Sequence, residues 1–124
     1  AFIQDAAVEA LLGKQDEIYR RIHSLVLRRD TLIRGLNSVP GIHCSIPHGS
    51  FYAFPNIKKT NMTSSEYSEK LLNQTGVCVL PGTCFGQEGE GYVRLCFASV
   101  TFEDIVESIE KIRIFHSSLE IDKC

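Results

Sequence analysis

The 124-residue chain has no apolar run approaching the ~20 residues needed to cross a bilayer; its longest, such as Val77 to Leu80, are far shorter. Its start lacks the basic-then-apolar order of a secretory leader. Charge of one sign is also missing: 13 Lys plus Arg stand against 15 Asp plus Glu, scattered along the chain. Without a basic stripe there is no footprint for nucleic acid. No CxxC pair occurs among Cys44, Cys78, Cys84, Cys96 and Cys124, so a structural zinc site is disfavoured. The odd number speaks against a disulfide framework and for reduced, mostly buried thiols in an intracellular, cytoplasmic protein. Internal repeats and low-complexity segments are absent too, leaving one ordinary domain able to bury about two thirds of its unfolded surface.

Phe2, Ile3, Ala6, Ala7, Ala10 and Leu11 recur at helical spacing from the first residues, and Gly13 closes the run. A domain seldom opens inside a helix, so the chain is expected to be a piece of a longer protein. Lys14 to Asn37 reads as an amphipathic helix with Ile18, Ile22, Leu25, Leu32 and Leu36 on one stripe, ended by Pro40-Gly41. Ile42 to Ile46 and Ser50 to Phe54 read as strands bounded by Pro47 and Pro55. Thr63-Ser64-Ser65-Glu66 has the capping-box form and predicts a helix stopped by Gly76. Val77 to Leu80 and Tyr92 to Ala98 are two further strands, separated by the glycine-rich Gly82 to Gly91. A last helix is capped by Thr101, and residues 117–124 are expected to be a loose tail. The order predicts an α/β (α+β) two-layer sandwich: a small, mostly antiparallel sheet of three or four strands covered on one face by helices.

Arg94 departs from that plain pattern. Alternation along Tyr92 to Ala98 sends Val93, Leu95 and Phe97 to the helix-covered face and Arg94, with Tyr92, Cys96 and Ala98, to the other. There it either reaches water or grips a carboxylate or phosphate with its planar donors. The glycines between Gly82 and Gly91 match no phosphate-loop spacing and precede a strand, so they read as a conformationally special connection. A nucleophilic Cys84 has no support from the spacing of His23, His43, His48 or His116.

Three segments in order carry a more specific likeness: Pro47-His48-Gly49-Ser50-Phe51-Tyr52-Ala53-Phe54-Pro55; Gly76-Val77-Cys78-Val79-Leu80-Pro81-Gly82-Thr83-Cys84-Phe85-Gly86; and Gly91-Tyr92-Val93-Arg94-Leu95-Cys96-Phe97-Ala98. Together they resemble the C-terminal small domain of class I/II (fold type I) pyridoxal-phosphate-dependent aminotransferases, nearest the aspartate-aminotransferase-like branch, over nearly the whole chain to about His116. The resemblance implies that residues 1–124 are one substrate-carboxylate-binding domain, with Arg94 holding the α-carboxylate of the amino-acid or 2-oxo-acid substrate. It also implies pyridoxal 5'-phosphate in the full-length protein only, a large domain outside this chain, and a homodimer. Lys14, Lys58, Lys59, Lys70, Lys111 and Lys123 occur in no context resembling the family's Schiff-base lysine, so the piece alone is expected to be non-catalytic. A carbon–sulfur lyase or a non-enzymatic ligand-binding module would share the same fold.

Overall fold

The computed structural model describes residues 1–121. Among the described residues the fold has four helices, α1 (Phe2–Leu12), α2 (Asp16–Asn37), α3 (Ser64–Thr75) and α4 (Phe102–Ile121), and a three-stranded antiparallel sheet of β1 (Tyr52–Ala53), β2 (Leu80–Pro81) and β3 (Val93–Cys96), one face of which packs against α2, α3 and α4. The spatial order β1-β3-β2 puts the last strand in the middle, with Tyr52 opposite Cys96 and Leu80 opposite Arg94. This is the two-layer α/β arrangement expected from the chain order.

The Ile42–Ile46 strand is reduced to a single bridge between His43 and Asn56. Its alternation holds for Ile42 and Cys44, which are buried between exposed His43 and Ser45, but fails at Ile46, which is 55% exposed. The Asn37 carboxamide, however, accepts from the Cys44 N–H at 2.8 Å and donates to its carbonyl at 2.9 Å, taking the two backbone groups a ladder would use. The expected loose tail also needs correction. Helix α4 continues through Ile121, with Leu119 packed against the core; residues 122–124 lie outside the described residues. Cysteine burial is a third difference: Cys44 is buried, Cys96 half-buried, and Cys78 and Cys84 are exposed.

The core gathers Leu32, Ile33 and Leu36 of α2, Tyr67 and Leu71 of α3, Val93, Leu95 and Phe97 around β3, and Ile105, Ile109, Ile112 and Phe115 of α4. Burying one such side chain contributes roughly 1.5–3 kcal/mol, so the layer contact dominates stability. Helix α2 can lie close to α4 because residue 35 is glycine; a methyl there would run into Ile109. Helix α3 starts at the anticipated capping box, with Glu66 N–H donating to the Thr63 hydroxyl and Thr63 N–H to the Glu66 carboxylate, and it ends at Gly76 in the left-handed region (φ 76°). Helix α4 begins with the same reciprocal pair between Thr101 and Asp104.

A polar chain, buried at its Tyr67–His116 link, ties α3 and α4 to the turn that follows α2. The Tyr67 hydroxyl lies 2.8 Å from His116 Nε2, and His116 Nδ1 lies 3.0 Å from the Pro40 carbonyl. A carbonyl can only accept, so Nδ1 carries a proton, and in the neutral imidazole Nε2 accepts from the Tyr67 O–H. Burial pushes the Tyr67 phenol well above its ordinary value, which keeps it a donor. Tyr67→Phe removes that donor from a buried acceptor and is expected to lower unfolding free energy by about 1–3 kcal/mol in urea denaturation; an unchanged midpoint would contradict this account.

Candidate functional site: an arginine between two rings

Strand β3 alternates as the sequence implied. Val93, Leu95 and Phe97 are buried against the helices, while Tyr92, Arg94 and Cys96 stand half-exposed on the opposite face. Pairing in register brings Tyr52 and Leu80 to that same face. The Arg94 guanidinium carbon lies 4.2 Å from the Tyr52 ring centroid and 4.2 Å from that of Phe85. It is thus sandwiched between two π faces, each such contact contributing roughly 0.5–2 kcal/mol according to exposure. Among the described residues no carboxylate pairs with it, the ion pairs there being Arg20 and Arg21 with Glu17, Arg29 with Asp30, Lys111 with Glu107, and Arg113 with Glu110. The result is a cation held against two rings, with no hydrogen bond or ion pair on its N–H edge among the described residues.

Sequence reasoning singled out Arg94 but neither of its ring partners. Tyr52 lay in a strand whose register was open, and the β1–β3 pairing now sets it beside Arg94 while Ala53 points into the core. Phe85 arrives from outside the sheet. Gly82 to Gly89 folds as two short 3₁₀ turns, Gly82–Phe85 and Gln87–Gly89, packed so tightly that a Cβ on Gly82 or Gly89 would overlap the other's backbone. Gly91, at φ +80°, has the Lys58 stem where a side chain would go. The special connection expected there is present, and it serves to place an aromatic residue. A usable signal existed in the sequence: an apolar ring between Cys84 and Gly86 in a polar, glycine-rich loop has no core to enter. Behind Phe85 the aromatic surface continues, with Phe54 edge-on to Phe85 at 6.3 Å and stacked on Tyr92 at 5.3 Å, and Lys58 Nζ 5.1 Å above the Tyr92 ring.

Glu90 anchors this loop. Its carboxylate accepts from the Ser64 N–H at 2.7 Å, the Ser64 hydroxyl at 3.1 Å and the Gly91 N–H at 2.9 Å, so a loop residue caps the first turn of α3. The Ser64 N–H, with help from Gly91 and the Ser64 hydroxyl, holds the Glu90 carboxyl below its ordinary value despite partial desolvation and the nearby Glu66 charge. Glu66 is lowered in turn, chiefly by the Thr63 N–H.

Four surface hollows of roughly 190 to 530 Å³ are lined by residues other than Arg94, which stands on an open face. Among the described residues no cluster of His, Cys, Asp and Glu could hold a metal ion, and no helix is long and apolar enough to cross a membrane.

Comparison with known proteins agrees with this geometry. The model of the aminotransferase class I and II family matches residues 1–112. An aspartate aminotransferase of Pyrococcus horikoshii is 39% identical over 116 residues, covering 90% of this chain and 29% of that protein. Aromatic-amino-acid aminotransferase 2 of Thermococcus litoralis is 38% identical over 117 residues, with the same two shares. Among solved structures, an aromatic aminotransferase from Pyrococcus horikoshii superimposes with a TM-score of 0.90 at 34% identity, covering 96% of this chain and 32% of that one. The aspartate aminotransferase from Rhizobium meliloti gives a TM-score of 0.85 at 30% identity, covering 92% and 30%. The chain therefore spans less than a third of the length of the relatives it matches.

A carboxyl lowered by folding stabilises the fold fully above its unfolded value and loses that contribution as pH falls through the lowered folded value. Stability is therefore expected to decline as pH drops below about 4.5, the ordinary glutamate value. Glu90→Gln should flatten the decline in urea midpoints between pH 5 and 3, relative to the unsubstituted chain, roughly in proportion to its share of the protons taken up. Parallel pH profiles for the two proteins would show that Glu90 does not anchor the loop.

Proposed function

The chain belongs to the class I and II aminotransferase family, and on that premise we propose that it is the small domain of a pyridoxal-phosphate-dependent aminotransferase, in which Arg94 binds the α-carboxylate of an amino-acid or 2-oxo-acid substrate. The observation that carries this reading is the Arg94 guanidinium, gripped by Tyr52 and Phe85 at 4.2 Å on either side with no carboxylate partner among the described residues. A planar fork matches a carboxylate with two parallel N–H···O bonds, which fix orientation as well as position. Holding the carboxylate at this edge sets the direction of the substrate's Cα bonds, and correct orientation is a large part of what a protein contributes to such a reaction. Arg94 starts with its long side chain already restrained, so little rotamer freedom is left to lose on binding, a saving of roughly 0.5–1.5 kcal/mol.

Among the described residues, Lys58 and Lys111 do not fit a pyridoxal phosphate site. Lys58 is spread across Gly91 and Tyr92, Lys111 is tied to Glu107 at 2.8 Å, and neither stands in a cradle of phosphate donors. The cofactor, the proton-transferring lysine and the groups that read the substrate side chain would belong to the rest of a longer protein, which the relatives' greater length supports. The relatives' names, aspartate in one case and aromatic amino acid in another, span different donors, so this domain would supply the contact common to all amino acids. Exposed apolar surface favours a covering body: α1 buries no residue, and Phe2, Leu11 and Leu12 are each about 80% exposed.

In the longer protein, Arg94→Ala is expected to lower kcat/KM for every amino donor by roughly ten- to a hundredfold, corresponding to about 1.5–3 kcal/mol for a lost charge-assisted bond. Unchanged kcat/KM for all donors would overturn the assignment. The chain by itself is expected to bind ANS through its uncovered α1 and α2 faces and to associate with rising concentration; a monomer that leaves ANS dark would contradict the covering body.

A further inference from the structure

We propose that Cys78 and Cys96 form a reversible disulfide site at the open end of the β2–β3 ladder. The register of this antiparallel pair sets Leu80 opposite Arg94 and Pro81 opposite Val93. Continued two residues beyond the last pair of the ladder, the same register would set Cys78 opposite Cys96. In such a continued ladder two steps preserve the face, so both residues would share one side of the strand pair. The burial pattern agrees: Val77 and Val79 are buried, while Cys78 is exposed and Cys96 half-exposed.

A second observation joins the same two residues. Cys78 and Cys96 both line one hollow of about 400 Å³ between the strand ends and α4, together with Leu95, Asp104, Ser108 and Lys111. The paired strand β2 begins only at Leu80, so the segment bearing Cys78 is not locked to β3 by a continuous ladder. Directly opposed residues of an antiparallel pair have Cα atoms roughly 4.5–5.5 Å apart, inside the roughly 4.4–6.8 Å that a disulfide spans. Closing the bond thus extends an existing register by two residues.

The chemistry at Cys96 suits the attacking role. Partial burial raises its thiol, but the N–H groups of Ala98 and Ser99, the Ser99 hydroxyl and the Arg94 charge together outweigh this and leave it below its ordinary value. Cys44 is the opposite case, buried and pushed up by desolvation against a backbone hydrogen bond from Phe54. With a low-molecular-weight disulfide such as oxidised glutathione as oxidant, the Cys96 thiolate attacks one of its sulfurs. The S–S bond breaks, one glutathione thiolate leaves, and Cys96 carries the other half as a mixed disulfide. The Cys78 thiolate then attacks Cys96 Sγ and expels the second glutathione. Two protein thiols lose two electrons and two protons, and one oxidised glutathione becomes two reduced ones.

The test is to incubate the longer protein with oxidised glutathione, alkylate the remaining thiols, isolate the species that runs as a single chain on a non-reducing gel, digest it, and identify the peptides by mass spectrometry. The expected product is a Cys78–Cys96 peptide pair, lighter by two hydrogens than its parts and released by dithiothreitol. It should persist in Cys84→Ser. In Cys78→Ser it should be replaced by glutathione retained on Cys96, because no second thiol stands opposite to displace it. Far-ultraviolet circular dichroism before and after oxidation checks that the fold is kept. Separate glutathionylation of Cys78 and Cys96 without a cross-link, or a cross-link that joins either of them to another cysteine instead, would overturn the proposal. Neither readout involves a ligand of Arg94, so its failure leaves the carboxylate reading untouched, and the reverse.

Discussion

The arrangement of this fold turns on a positive charge held between two aromatic rings on the uncovered face of a sheet. An unpartnered guanidinium costs little where water or an anion can reach its edge and a great deal where neither can. The fold satisfies that condition by covering only one face of β3. Val93, Leu95 and Phe97 close the helical side, while Tyr52, Leu80 and Arg94 share the other. Placing β3 in the centre gives Arg94 a neighbour strand on each side, and one of them supplies the first ring.

The second ring requires more of the chain. Phe85 reaches Arg94 from two tight turns that only glycines at 82 and 89 permit, and Glu90 ties the end of that loop to the first turn of α3. Helix α3 is in turn joined to α4 and to the turn that follows α2 through Tyr67, His116 and Pro40. The position of one ring against one guanidinium therefore rests on a series of connections through the helical layer. Substitutions at Gly82 or Glu90, neither of which touches Arg94 in the described contacts, would act on it by moving Phe85.

Much of this was readable from residue order, and the parts that were not share a cause. The Thr63 capping box, the Thr101 cap, the stop at Gly76, the alternation in β3 and the outward Arg94 follow from local rules that need only a few neighbouring residues. The failed expectations depended on distant ones. The Ile42–Ile46 segment alternates like a strand, yet Asn37, seven residues before Cys44, takes its backbone groups. Ile18 and Ile22 lie on the apolar stripe of α2 but are about half exposed, because the helices packing on that stripe reach only its C-terminal half. Tyr52 and Phe85 could not be joined to Arg94 before the β1–β3 register and the loop path were known, since a strand shifted by one residue sends every side chain to the other face.

The claim that Arg94 is a restrained carboxylate receptor is tested most directly by a crystal structure of the longer protein with a 2-oxo acid bound. Two nitrogen–oxygen contacts of roughly 2.7–2.9 Å are expected between the Arg94 guanidinium and the ligand's α-carboxylate, with the Tyr52 and Phe85 rings still on its two faces. A carboxylate bound to other donors, with Arg94 turned away from it, would contradict the account.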